Sequence, residues 1–312
     1  MARILGHHHI SMFTDNATQN NHFYTEVLGL RRVKKTVNQD DPQMYHLFYG
    51  DQVGSPGTEL TFFEMAQQQT RRGTNAISHI GLLVKSYEGL IFWQQRFEQL
   101  GIKHGQIEKI NNRDALYFED PDGLPLYLMN HQDGFIPAFW QRYHHSEVPD
   151  NVRILGIGPV ILTVRELEET GKMLTDLLGY TKVKMTDGED VYQAVPGEAS
   201  GEIIIRQQKG QRERQGAGTV HHLALRVKDS AEMKIWAERI ETAGYRNSGI
   251  KDRFYFESFY FRDRNSILFE LATDGPGLMI DSSLEMLGKQ LELPSFLEER
   301  RSEIEANLSP LI

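Results

Sequence analysis

The feature that most constrains this chain is a unit written four times. The segments "HHHISMFTDNATQNNHFYTEVLGLRRVKKT", "SHIGLLVKSYEGLIFWQQRFEQLGIKHGQI", "GPVILTVRELEETGKMLTDLLGYTKVKMT" and "HHLALRVKDSAEMKIWAERIETAGYRNSGI" share one plan. Each opens with an apolar or alternating run that reads as a strand and continues as an amphipathic helix. Each helix closes on a glycine (Gly29, Gly101, Gly179, Gly244), the residue that best accepts the left-handed turn at a helix end. Further strands follow: "MYHLFYG" and "ELTFFEM", "ALYFED" and "PLYLMN", "VYQAVP" and "EIIIRQ", "FYFESFYFR" and "ILFELAT". The chain is therefore expected to be α+β, with four tandem βαβββ modules. One module leaves a curved sheet with an uncovered concave face, and a second module closes it into a cup-shaped, half-open barrel. The expected two-module domains are 1–140 and 152–280, joined by the turn-rich segment "NHQDGFIPAFWQRYHHSEVPDNV", with a helical tail over 281–312.

Composition narrows the chemistry. With 312 residues the chain is long enough for two ordinary domains, and its 39% hydrophobic and 25% charged residues suit a soluble globular protein. No run is long enough for a membrane span, and no apolar signal segment opens the sequence. A formal charge of −9 argues against nucleic acid, and the basic run "QQKGQRERQGAG" reads as a solvated loop. There is no cysteine, which excludes disulfides, zinc–thiolate sites and iron–sulfur clusters and suits the cytoplasm. Twelve histidines without cysteine direct attention to imidazole–carboxylate metal sites.

Superposing the repeats on their glycines puts His9, His79 and His222 at one position, where the third module has Pro159. The same comparison sets "FFEM" against "LFEL", which makes Glu64 the counterpart of Glu270. A carboxylate inside "SILFELAT" is costly to bury without a metal or a cation beside it. On an ideal strand His7, His9 and Ser11 share one face, and His8 shares the other with Ile10. His79 has no carboxylate partner in its own module and reads as a hydrogen-bonded core residue. His9 and Glu270 meet only if the first and fourth modules come together.

The ordered set "HHISMFT", "VNQDDPQMYHLFYGDQVGSPGTELTFFE", "VHHLALRV", "DRFYFESFYFR" and "ILFELATDGPG" resembles the vicinal oxygen chelate superfamily, which includes glyoxalases, bleomycin resistance proteins and extradiol dioxygenases. Within it, the chain resembles ring-cleaving dioxygenases of the hydroquinone-specific type over nearly its whole length. The resemblance implies a mononuclear iron(II), with manganese(II) accepted by the same ligand types, held by His9, His222 and Glu270. It implies neighbouring catalytic roles for His8, His221 and Tyr255. The implied partners are a hydroquinone or catechol and dioxygen, with neither nucleic acid nor membrane. The implied role is detoxification or degradation of aromatic compounds, and a homo-oligomer is left open.

Two alternatives follow from the same residues. If Glu64 also binds metal, four protein ligands suit a redox-inert ion and a glyoxalase I-like lyase or isomerase. If no metal binds, an aromatic-lined cup would simply sequester a small molecule.

Overall fold

The computed structural model describes residues 2–65, 70–186 and 188–311. The first module contains strand β1 (His7–Thr14), helix α1 (Ala17–His22), and strands β2 (Arg31–Val37), β3 (Tyr45–Gly50) and β4 (Glu59–Glu64). The second contains β5 (Ala76–Val84), α2 (Tyr87–Leu100), β6 (His104–Ile110), β7 (Arg113–Glu119) and β8 (Pro125–Asn130). The third contains β9 (Ile154–Val164), α3 (Leu167–Lys172), β10 (Thr181–Thr186), β11 (Glu189–Gln193) and β12 (Glu202–Gln207). The fourth contains β13 (Val220–Val227), α4 (Ser230–Thr242), β14 (Asn247–Asp252), β15 (Phe256–Arg262) and β16 (Leu268–Pro276). In the first and third modules the helix continues as a π-helical segment, Phe23–Val27 and Met173–Leu177, and the glycines that close the four helical segments all take positive φ, between 67° and 78°.

The strands form two eight-stranded sheets, ordered β14-β15-β16-β13-β1-β4-β3-β2 and β10-β11-β12-β9-β5-β8-β7-β6. The first module thus shares a sheet with the fourth, and the second with the third. This corrects the sequential pairing implied by 1–140 and 152–280, since neither half of the chain completes a sheet by itself. The physical reason is the antiparallel seam. β1 pairs with β13, and β5 with β9, so each seam joins first strands of non-adjacent or adjacent modules alike. Local periodicity carries no information about which first strands meet.

Strand alternation assigns the two faces of each sheet. In β5, Leu82 and Val84 belong to the main core with Trp93 and Phe97 of α2, whereas Leu83 belongs to a separate cluster with Tyr127, Ile161 and Trp140. The main core joins both sheets, and Phe23 stacks on Phe118 across them at 6.4 Å. The separate cluster occupies the opposite face of the second sheet. Trp140, from the segment between modules, anchors it by donating to the Pro56 carbonyl at 2.9 Å.

The tail differs from expectation. Among the described residues of the tail only Ser295–Arg300 and α5 (Arg301–Asn307) are helical, and the preceding segment runs as turns along β2. Buried Lys34 holds it through Asp281 (2.8 Å) and Glu292 (2.7 Å), and Arg32 Nε donates to the Gly288 carbonyl. These charges belong to β2 and are met only by tertiary contact, so no helical periodicity was needed there.

Buried Asp120 links the first and second modules, with the Tyr24 hydroxyl donating to its Oδ2 at 3.2 Å. Burial pushes its carboxyl from 3.8 up to about 7. The folded protein therefore keeps a proton that the unfolded chain releases, and stability falls as pH rises from about 4 to about 7. Asp120→Asn is expected to flatten that slope, read as melting temperature against pH. An unchanged slope would show that Asp120 titrates normally.

Candidate metal centre

Two bulges build the site. The β1–β13 register passes from His7↔Leu225 to His9↔Ala224, and then from Ser11↔His222 to Met12↔Val220. His8 is the extra residue in β1 and His221 the extra residue in β13. Each bulge turns a histidine pair so that both rings lie side by side. His8 Nδ1 meets His9 Nδ1 at 2.9 Å, and His221 Nδ1 meets His222 Nδ1 at 2.8 Å. Beyond the first bulge His7 is sent the other way, with Nε2 on the Glu202 carbonyl of the second sheet at 3.2 Å. The strict alternation that put His7 beside His9 fails at this bulge.

The structure brings His9, His222 and Glu270 together. His9 Nε2 lies 3.3 Å from His222 Nε2, and Glu270 Oε2 lies 3.3 Å from His9 Nε2 and 2.8 Å from His222 Nε2. All three are buried, Glu270 completely. Glu270 Oε2 therefore faces two ring nitrogens at once, and only one of them, His222 Nε2, is at an ordinary hydrogen-bond distance. Adjacent ligands about 2.1 Å from one ion would stand roughly 3 Å apart at right angles, close to the separations found. Burial alone would raise the Glu270 carboxyl, but His9 and His222 outweigh it and hold it well below its ordinary range. An ionised, buried carboxylate oxygen converging on two imidazole nitrogens fits a divalent cation.

The histidine pairs then fix tautomers. If His9 and His222 present Nε2 to a metal, each carries its proton on Nδ1. His8 and His221 must accept it at Nδ1 and keep their own protons on Nε2. His8 Nε2 duly faces the Thr273 carbonyl at 3.1 Å. Burial is the main cause that pushes His8 and His221 down to about 3, which keeps both neutral. His8→Ala is expected to weaken metal binding by about 10- to 100-fold, measured by competition with a chromophoric chelator. Unchanged affinity would show that His8 does not orient His9.

The expected catalytic residues are divided by the fold. His221 lines the cavity in front of the three candidate ligands, whereas His8 stands behind His9, on the side of a different pocket. The Tyr255 ring lines the cavity, but its hydroxyl donates to Asp281 Oδ2 at 3.1 Å, with Lys34 Nζ 4.7 Å from the ring. The tyrosine against the metal ligands is Tyr260, whose ring stands 5.5 Å from His222. Its hydroxyl interacts with Ser258 and Arg253, and Ser258 Oγ donates to Glu270 Oε1 at 2.5 Å.

Glu64 does not mirror Glu270. β13 pairs with β16 so that Ala224, two residues after His222, faces Glu270. β1 pairs with β4 so that Ser11, two residues after His9, faces Thr61. Thr61 therefore occupies the counterpart position, and the alignment by aromatic residues was displaced by three. Glu64 instead accepts the Ala17 N–H at the start of α1, at 2.9 Å. Thr61 Oγ1 bonds Ser11 Oγ (2.7 Å) and His46 Nε2 (3.0 Å).

Two site residues besides Tyr260 were missed in the sequence. His46 lines the cavity, its ring 4.1 Å from Phe63 and 4.2 Å from Phe48. Burial first, and then His9 and His222, push its pKa well below the ordinary value. Glu59 is buried 3.8 Å from His8 Nδ1 on the far side of His9, and burial raises its carboxyl well above the usual range. His8, His9 and Glu59 thus form a second close group of donor atoms, but His8 Nδ1 and His9 Nδ1 meet each other, and the group stands behind His9, away from the cavity that His9, His222 and Glu270 face.

The cavity in front of the three candidate ligands has a volume of about 350 Å³. Its walls include Phe13, Phe48, Phe63, Met44 and Leu268. His79, by contrast, sits on the second sheet beside Ser78 and Tyr127 and joins no histidine–carboxylate group among the described residues.

Comparison with known proteins identifies the family. MhqA of Bacillus subtilis (strain 168), provisionally named a ring-cleaving dioxygenase, is 46% identical, with 99% of each chain covered. The chlorohydroquinone/hydroquinone 1,2-dioxygenase of Sphingobium indicum is 29% identical, covering 97% of this chain and 95% of that one. A solved B. subtilis structure provisionally titled a dioxygenase superposes with a TM-score of 0.92 at 34% identity, covering 100% and 99% of the two chains. Residues 6–128 and 156–271 match the family model, and the chain belongs to the Glyoxalase/Bleomycin resistance protein/Dioxygenase superfamily.

Proposed function

We propose that the protein is a non-haem iron(II) ring-cleaving dioxygenase of the extradiol type, acting on hydroquinone- or catechol-type aromatics. The observation that carries this reading is a set of two histidines and one glutamate beside an apolar cavity, with Thr61 where a symmetric site would supply a second carboxylate. The names of the relatives support it. His9, His222 and Glu270 would hold the metal, and the same donor atoms accept manganese. Bound there, iron(II) supplies a redox-active centre of net positive charge that favours a phenolate and dioxygen together.

The chain's own residues do the rest. Phe13, Phe48 and Phe63 exclude water and receive the faces of a single ring. His46 is neutral and has one ring nitrogen held by Thr61, which leaves the other to take the phenolic proton. The Tyr260 hydroxyl, held between Ser258 and Arg253, stands where it can donate a hydrogen bond to a ring oxygen next to His222. A glyoxalase I-like reaction would call for a fourth protein ligand. Glu64 is engaged at α1 and Thr61 is no carboxylate, so nothing favours it.

No described helix is long and apolar enough to cross a membrane, and we place the reaction in the cytoplasm, as part of aromatic detoxification or degradation. The test is oxygen uptake by iron(II)-loaded protein with methylhydroquinone and catechol under labelled dioxygen. The expected result is one dioxygen consumed per ring, with both labelled atoms in the ring-opened product. No uptake with any dihydroxybenzene would overturn the reading.

A further inference from the structure

The mouth of the cavity carries an ion pair between Arg253, which also steadies the Tyr260 hydroxyl, and Asp40, to which the chemistry above gives no role. Arg253 lies in the turn between β14 and β15. The turn is fixed by Arg253 N–H on the Phe256 carbonyl (3.0 Å) and Phe254 N–H on Asp252 Oδ1 (2.8 Å). Its guanidinium meets Asp40 at two points, Nη1–Oδ1 at 3.1 Å and Nη2–Oδ2 at 2.8 Å. The Arg253 carbonyl accepts Gln39 Nε2 at 2.8 Å, so the loop before β3 is tied to this turn twice. The first and fourth modules are thus stitched together across the entrance.

The two partners face different surroundings. The Asp40 side chain is 72% exposed and the Arg253 side chain 22%. Arg253 reaches inward, 5.6 Å from the Tyr260 ring, while Asp40 stands at the rim. Among the described residues lining the cavity, Arg253 is the one arginine or lysine. A planar guanidinium with a free fork is the group best shaped to recognise a carboxylate. Here the fork is filled by the protein's own carboxylate.

We propose that Asp40 is a specificity-determining residue: by occupying Arg253 it makes the cavity select uncharged dihydroxybenzenes over rings that carry a carboxylate. The proposal rests on the ring-cleaving reading for its substrate class. A ring carboxylate entering this site must displace Asp40 or lie beside it and the apolar walls without a counter-charge. Both are unfavourable, and together they act against the wrong substrate. An exposed pair of this kind contributes little to folding, so removing Asp40 is felt at the ligand and not in the core. Asp40→Asn keeps the shape of the side chain and removes its charge. Arg253 then offers an unneutralised cation to the cavity.

The experiment compares methylhydroquinone with 2,5-dihydroxybenzoate on wild type, Asp40→Asn and Asp40→Ala, all loaded with iron(II). Anaerobic calorimetry reads binding, and oxygen uptake reads kcat/KM. Wild type is expected to prefer methylhydroquinone. Both variants are expected to shift the preference about tenfold or more toward the carboxylated ring, the effect of one added charge interaction. Iron content and methylhydroquinone binding should stay near wild type. An unchanged ratio, an equal loss of both ligands, or a wild type that already prefers the carboxylate would overturn the proposal. If the anaerobic binding ratio shifts while no ring consumes oxygen, charge selection stands and the ring-cleaving reading falls.

Discussion

Glu270→Gln is expected to give a folded protein that neither retains metal nor consumes oxygen. The substitution keeps the side-chain volume, and Gln can still receive the Ser258 hydroxyl at its carbonyl oxygen. What it loses is the single negative charge between His9 and His222. Loss of a ligand charge in a fully buried site removes several kcal/mol of metal binding, so oxygen uptake should fall by roughly a thousandfold or more. Circular dichroism and bound-iron analysis separate this from unfolding. Retention of stoichiometric iron by the variant would mean that Glu270 is not a ligand.

His46→Gln should have the second largest effect, and of a different kind. Bound iron should be unchanged, because His46 contacts Thr61 and two phenylalanine rings, not the three candidate ligands. Turnover should fall by about 10²- to 10⁴-fold, as expected when a positioned proton acceptor is removed. The loss should appear mainly in kcat, with KM for methylhydroquinone altered much less. A fall of less than about threefold would assign the proton to another group, with Tyr260 the next candidate.

The contrast between these two residues shows what a sequence of this kind makes readable. Glu270 and His222 stood out because a carboxylate and a histidine break apolar strand patterns, and because the module repeats. Those are local signals, and so are the glycines that close each helix. Register is not local. The aromatic flanks of Glu64 and Glu270 look alike, yet strand pairing makes Thr61 the counterpart of Glu270. The bulges at His8 and His221 are equally invisible, because each depends on an extra residue opposite a partner strand.

One missed residue did have a readable signal. β15 and β16 form a hairpin, and pairing inward from Arg262↔Leu268 puts Tyr260 opposite Glu270. Counting back from that short turn would have chosen Tyr260 over Tyr255. His46 had no comparable signal, since its role depends on Thr61 in β4 and on a fourth module more than 170 residues away in sequence. The pairing of first with fourth module was legible only as a condition: His9 and Glu270 could meet in no other way.

The most direct test of the central claim is a crystal structure of protein loaded anaerobically with iron(II), with the ion located by its anomalous scattering at the iron edge. The account predicts one ion within about 2.2 Å of His9 Nε2, His222 Nε2 and Glu270 Oε2, with Thr61 and Glu64 outside the ligand set and the remaining positions open to the cavity. An ion held by His8 and Glu59, or by a fourth protein carboxylate, would contradict it.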